Sequence, residues 1–233
     1  MRYYDIHTHN PDSRPEDVAI FSIDIINPSI ADKLCYSVGV HPWLIDNSKR
    51  DTINLLFEKV RDYADHPAAI AIGETGLDKL KVNSTNDYLF QQALFKSHVS
   101  LAEEMKKPLI IHCVKAWDEL FKIHQAVKPS MTWIIHGFRG KASLALQLIQ
   151  AGFYLSFGSR YHIDALKLAW KNRQLFIETD DSQVDLLDIY FNIACDLNIS
   201  LPELNEEIGE LFVLVFDYYP IFAQILNIKR TIK

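Results

Sequence analysis

Six side chains in this sequence could together hold metal ions: His7, His9, Glu74, His112, His136 and Asp180. His7 and His9 are one residue apart and follow the apolar run Tyr3–Ile6. Successive side chains of a strand point to opposite faces, so residues i and i+2 point the same way. If this run is a strand, both imidazoles approach one point from one side. The pair alone fits two surface histidines equally well. His112 lies in the run Leu109–Cys113 and His136 in Thr132–Gly137, while Glu74 and Asp180 end the runs Ala68–Glu74 and Leu175–Asp180. Taken singly, either histidine could be a satisfied core residue and either acid a helix cap. Taken together, four imidazoles and two carboxylates suit borderline divalent ions such as Zn²⁺, Mn²⁺ or Fe²⁺ better than Ca²⁺, which prefers oxygen alone. Such ions would serve hydrolysis by activating water. Acids buried at strand ends also need a partner to offset desolvation, and a metal supplies one.

These side chains need a framework that collects them at one place. Short β-branched runs recur at Tyr3–His7, Val18–Ile25, Cys35–Val40, Ala68–Glu74, Leu109–Cys113, Thr132–Gly137, Phe153–Gly158 and Leu175–Asp180. Their near-continuous apolar character indicates a sheet covered on both faces. Stretches with helical period lie among them: Asp51–Ala64, Thr85–Met105, Ala116–Ala126, Lys141–Ala151, Ile163–Trp170, Val184–Leu197 and about Glu206–Leu226. The alternation argues for βαβ units and a parallel sheet, and eight strands for a closed (β/α)₈ barrel of the TIM type. Active-site residues of such barrels sit at the C-terminal strand ends, where all six candidate ligands fall. By comparison His66, His98, His124 and His162 fall in helices or loops, and His98, among Leu94, Leu101 and Ala102, reads as a packing residue. Only residues 10–17 and 26–34 separate the first three runs. A parallel crossover with its helix needs at least about 10–12 residues. The first βα units are therefore expected to be irregular: either their helices are abbreviated or absent, or the second run is not a regular barrel strand.

The 233 residues suit one barrel domain spanning 1–233. A hydrophobic fraction of 48% and a charged fraction of 23% are ordinary for a globular chain. The net charge of −6 excludes nucleic-acid binding through bulk basicity. Bound divalent ions would reverse the local sign, so a phosphate substrate stays open. Cys35, Cys113 and Cys195 are too scattered for a disulfide framework and read as small core residues. No signal-peptide pattern and no apolar run near 18 residues is present, which leads to a cytoplasmic protein with no membrane partner and no predicted protein partner.

The sequence resembles the TatD family of metal-dependent deoxyribonucleases, within the amidohydrolase-like barrels. The resemblance is carried by Asp5-Ile6-His7-Thr8-His9, Gly39-Val40-His41-Pro42, Ala71–Asp78, Pro108–His112, His136–Gly140 and Glu178-Thr179-Asp180. It implies a (β/α)₈ barrel that hydrolyses DNA phosphodiester bonds from the 3′ end with two divalent ions (Zn, Mn, Mg or Fe). By the same resemblance His7, His9 and Asp180 hold one ion, His112 and His136 the other, Glu74 bridges them, and His41 faces the substrate phosphate or the bound water. Two departures stand out. Val114 occupies the position where the family usually has arginine, and Asp181-Ser182-Gln183 replaces a proline-rich segment with a following arginine. Asp180, beside the nucleophile, is a candidate to take its proton. Lys115, Arg139 and Lys141 are candidate phosphate clamps, with solvated surface charge as the alternative. Trp43 and Phe138 are candidates to stack on a base, with core or rim packing as the alternative. Two competing functions remain open: an amidohydrolase-like enzyme for a small ester, amide or lactone, and a metal-binding scaffold without turnover.

Overall fold

Runs rich in valine and isoleucine with no polar face are stable only when both faces of their sheet are covered. The computed structural model, which describes residues 1–10, 14, 16–29 and 35–216, solves this with eight parallel strands in chain order, wrapped as a TIM-type α/β barrel. The strands are β1 (Tyr4–Thr8), β2 (Val18–Ile23), β3 (Tyr36–Val38), β4 (Ala69–Asp78), β5 (Leu109–Val114), β6 (Trp133–Ile135), β7 (Tyr154–Phe157) and β8 (Leu175–Ile177). The helices are α1 (Arg50–Ala64), α2 (Thr85–Met105), α3 (Trp117–Val127), α4 (Ala142–Gln150), α5 (Ile163–Lys171), α6 (Leu186–Leu197) and α7 (Leu201–Phe216). Ile6, Ile20, Ile72, Ile110, Ile134, Leu155 and Phe176 are fully buried strand residues at the centre of the core.

The irregular side of the barrel is where the short connections placed it. Among the described residues the first helix, α1, comes only after β3, and two 3₁₀ turns, Pro42–Leu44 and Asn47–Lys49, precede it. Val18–Ile23 is nevertheless a barrel strand, paired in parallel with β3 and, with a register shift between Asp5 and Thr8, with β1. The β8/β1 seam is closed by single contacts instead of a ladder. Thr8 and Asp180 form an isolated parallel bridge. There the His9 N–H donates to the Asp180 carbonyl (3.0 Å) and the Asp180 N–H to the His7 carbonyl (2.9 Å).

Three expectations are corrected. β4 does not end at Glu74 but runs on to Asp78, because it keeps pairing with β5 through Thr75–Ile111, Gly76–His112, Leu77–Cys113 and Asp78–Val114. The last helix starts at Leu201, ahead of Glu206, and residues 217–226 of that expected segment lie outside the described residues. Cys35 and Cys113 are buried, but Cys195 is exposed. It falls on the solvent side of α6, whose buried face is Ile189, Tyr190, Ile193 and Ala194. No described helix is long and apolar enough to cross a membrane.

Candidate metal centre

Glu74 sits midway along β4, and its buried side chain borders the cavity at the barrel mouth. The flanking glycines allow β4 and β5 to approach closely. A Cβ on Gly73 (φ +142°) would come within 2.5 Å of the Ile110 carbonyl oxygen, and one on Gly76 (φ +150°) would overlap the His112 carbonyl oxygen. Only glycine adopts such backbone angles beside another main chain at no steric cost. The result places His112, on β5, next to Glu74.

Five imidazoles surround the Glu74 carboxylate, divided between its two oxygens. On the Oε2 side stand His7 Nε2 at 3.4 Å and His9 Nε2 at 3.6 Å. Both nitrogens are also 3.8 Å from Asp180 Oδ1. On the Oε1 side stand His136 Nε2 at 2.8 Å, His112 Nδ1 at 2.9 Å and His41 Nε2 at 2.9 Å. Ligand atoms that share a tetrahedral ion at about 2.1 Å lie roughly 3.4 Å from one another, close to the spacing on the Oε2 side. Among the described residues, three overlapping groups meet the distance requirement for a common ion: His7, His9 and Glu74; His7, His136 and Asp180; and His41, Glu74 and His112.

The donor set fits a metal on two further grounds. His7 is fully buried, and neither of its ring nitrogens has a hydrogen-bond partner. An unsatisfied buried polar atom costs about 1–3 kcal/mol, which an ion at Nε2 would remove. Charge is the second ground. Burial alone would raise the Glu74 carboxyl, but the charge on His136 and hydrogen bonds from His112, His136 and His41 hold it well below the usual carboxylate range. Burial likewise opposes a charge on His136, and Glu74 and Glu178 outweigh it, raising its pKa well above the ordinary value. Both shifts run in the direction that favours positive charge beside Glu74, which an ion would supply.

Behind the histidines stand groups that fix their orientation. Asp78 Oδ2, buried, lies 3.2 Å from His112 Nε2 and accepts from the Trp43 indole N–H at 2.8 Å. Glu178 Oε1, fully buried, faces His136 Nδ1 at 3.4 Å and accepts from the Gly137 N–H at 2.6 Å. An acid behind one ring nitrogen orients the ring so that the other nitrogen points to Glu74, where it would be available to an ion. Asp5 accepts from the Thr179 N–H (3.1 Å) and hydroxyl (2.6 Å) and from the His7 N–H (3.2 Å), tying β1 to the segment that carries Asp180. Burial pushes the Asp5 carboxyl up to about 7. Asp180 adopts a left-handed backbone (φ 55°), uncommon outside glycine and tolerated best by Asn and Asp. Burial, with Glu178 and Glu74 nearby, raises its carboxyl, partly countered by His136 and His7.

All six expected ligands therefore converge, and His41 joins them. His41 Nδ1 accepts from the Trp43 N–H at 3.1 Å, leaving its proton on Nε2, and burial lowers its pKa. A cavity of about 830 Å³ opens in front of the cluster. Lys115, Arg139 and Trp43 line it, but Lys141 does not. Lys141 is an exposed residue flanking α4. Phe138 also borders the cavity, but it is only 2% exposed and packs edge-on against Trp117 and Phe157, so it is a wall residue and not a stacking platform. Asp5, Asp78 and Glu178 received no role from sequence reasoning although they sit in the quoted motifs. Their signal was a buried acid two residues from a ligand or four residues beyond one. Arg160 was missed altogether, and it lines the same cavity. His98 is packed as expected, but it is also hydrogen-bonded: Nδ1 donates to the Leu94 carbonyl (2.8 Å) and Nε2 accepts from the Val40 N–H (3.0 Å).

Residues 22–184 match a family described as TatD related DNase. An uncharacterized metal-dependent hydrolase from Buchnera aphidicola subsp. Acyrthosiphon pisum is 34% identical over 127 residues, covering 52% of this chain and 46% of that protein. The uncharacterized metal-dependent hydrolase YcfH of Escherichia coli K12 is 32% identical over 127 residues, covering 54% of this chain and 45% of that protein. The chain thus spans about half the length of these curated relatives in its matches. Among solved structures, a hydrolase TatD family protein from Entamoeba histolytica superposes with a TM-score of 0.70 at 19% identity, covering 92% of this chain and 98% of the other. YJJV, a TatD homolog from Escherichia coli K12, gives a TM-score of 0.72 at 17% identity with the same coverage. At these identities the two structures speak to the fold alone.

Proposed function

Because the chain belongs to the TatD related DNase family, we propose that it is a metal-dependent hydrolase of DNA phosphodiester bonds that trims from the 3′ end, using two divalent ions held across Glu74. The observation that carries this reading is the division of five imidazoles between the two oxygens of one buried carboxylate. His7, His9 and Asp180 would hold the ion on the Oε2 side, His112 and His136 the ion on the Oε1 side, and Glu74 would bridge. When bound, the ions supply positive charge against the phosphate oxygens and acidify water.

The chain's own residues do the rest. Asp180, with a quarter of its side chain exposed at the cavity, would take the proton of the attacking water. His41 lines the cavity, but its Nε2–H is bonded to Glu74 Oε1 at 2.9 Å and would have to leave that carboxylate to reach a phosphate oxygen. Lys115 and Arg139 oppose the substrate charge. Trp43 is 56% exposed, and its ring is pinned by the bond from Nε1 to Asp78, which prepares a stacking face at the rim.

A second reading rests on Val114, Trp117 and Leu144, which give the cavity an apolar wall suited to a small ester, amide or lactone. The experiment is hydrolysis of single-stranded DNA by chelator-stripped protein with Mg²⁺, Mn²⁺ or Zn²⁺ restored, beside a panel of esters, amides and lactones and beside His112→Ala. Metal-dependent nucleotide release, absent in the variant, supports the nuclease reading. Turnover of the panel without nucleotide release moves the assignment to the second reading.

A further inference from the structure

The arginines of this chain are not distributed alike. Arg14 pairs with Asp17, Arg50 with Asn47, Arg61 with Glu104, and Arg173 with Glu207 and Glu210. Arg2 bonds the Glu16 carbonyl. Arg139 and Arg160 have no such partner among the described residues. Both are exposed, and both line the cavity in front of Glu74 and the adjoining concavity of about 60 Å³. Asp181 borders both spaces and pairs with neither arginine. Acids outnumber bases 30 to 24 in this chain, so partners for a stray guanidinium are plentiful. Two unpaired guanidiniums on one cavity wall, contributed by the separate segments after β6 and β7, mark a place where an outside anion completes the bonding. Among the described residues neither arginine pairs with Glu74, so both are free to meet an anion elsewhere on the cavity wall.

We propose that Arg139 and Arg160 clamp a second, non-scissile phosphate, so that the site takes the end of an oligonucleotide and not an isolated phosphodiester. This rests on the phosphodiesterase reading above. Guanidinium forks match phosphate oxygens two at a time, which a lysine ammonium cannot do. A cavity of about 830 Å³ has room for a whole nucleotide beyond the scissile group. Val114, Trp117 and Leu144 offer the intervening base an apolar surface.

The test is calorimetric binding of three probes to the full chain stripped of ions, so that nothing turns over. The probes are thymidine dinucleotide with no terminal phosphate, with a 5′-phosphate and with a 3′-phosphate. One of the phosphorylated probes is expected to bind about tenfold more tightly than the bare dinucleotide. That advantage falls steeply in Arg139→Gln and in Arg160→Gln, disappears in the double variant and is partly kept in Arg160→Lys. Circular dichroism checks that each variant folds. Equal binding of all three probes by the unaltered chain, or an advantage that survives the double substitution, overturns the clamp. If the advantage is present and arginine-dependent but the metal-loaded chain hydrolyses none of the probes, the clamp stands and the phosphodiesterase reading fails.

Discussion

Glu178 touches nothing that reacts, yet it decides which way His136 points. Its Oε1 faces His136 Nδ1 and accepts from the Gly137 N–H, so the ring turns Nε2 toward Glu74. Partners of this kind behind metal-binding histidines change affinity by about 10–100-fold when removed. Glu178→Gln keeps the size but not the charge, and is expected to weaken metal binding in that range, read by competition with a chelator, while thermal unfolding of the metal-free chain changes little. An unchanged affinity would show that Glu178 serves packing alone. At this scale the convergence of the six side chains was legible, because histidine and acid at strand ends are rare enough to mean something jointly. The partners behind them were not. Asp78 and Glu178 are as visible in the sequence as Glu74, but which face a residue takes beyond a strand end depends on local backbone turns such as Gly137 (φ 57°). Phe138 takes the packing alternative: the aromatic type allows stacking, and packing against Trp117 and Phe157 removes it.

At the scale of elements, α2 holds the loop that presents His41. Gln91 and His98 lie seven residues apart on one face of α2. Gln91 Nε2 donates to the Pro42 carbonyl (3.2 Å), and His98 accepts from Val40 (3.0 Å), bracketing His41 from both sides. Burial lowers the His98 pKa from 6.5 to about 4. Between these values the unfolded chain binds more protons than the folded one. Stability from this group is therefore level above about pH 6.5, falls as the pH drops toward 4 and levels again below, a loss on the order of 3 kcal/mol. Denaturant unfolding across this window should show a flatter pH dependence in His98→Leu, despite lower stability of that variant at pH 7 because the Val40 N–H loses its acceptor. Parallel curves for the two chains would refute the assignment. The close approach of β4 and β5 gives a second expectation. Gly76→Ala should cost about 2 kcal/mol or more, seen as a lowered denaturant midpoint, because the added Cβ meets the His112 carbonyl. The eight strands were legible from their apolar runs. The end of β4 was not, since its continuation from Thr75 to Asp78 comes from pairing with β5. The two polar residues on the apolar face of α2 were a readable signal of a buried link.

Over the whole molecule, the barrel closes through the candidate site. The β8/β1 seam is held by main-chain bonds of His7, His9 and Asp180, so ligands that would share an ion also join the two edges of the sheet. Metal binding should therefore stabilise the entire fold. At a free ion concentration of about 100 times Kd the gain is about 2.7 kcal/mol, or roughly 5–10 °C in Tm for a chain of this size. Thermal unfolding with and without chelator reads it, and coincident midpoints would speak against a folded-state metal centre. Parallel order and irregular opening units were legible because connection length limits topology. The manner of closure was not, because it depends on single hydrogen bonds across residues 7–9 and 180. The central claim is that Glu74 bridges two ion sites. Elemental analysis of metal bound per chain after dialysis against Mn²⁺ or Zn²⁺ tests it most directly, for the unaltered chain and for Glu74→Gln. Two ions per chain are expected, reduced to one or none by the substitution. A single ion in the unaltered chain, or two retained in Glu74→Gln, would contradict it.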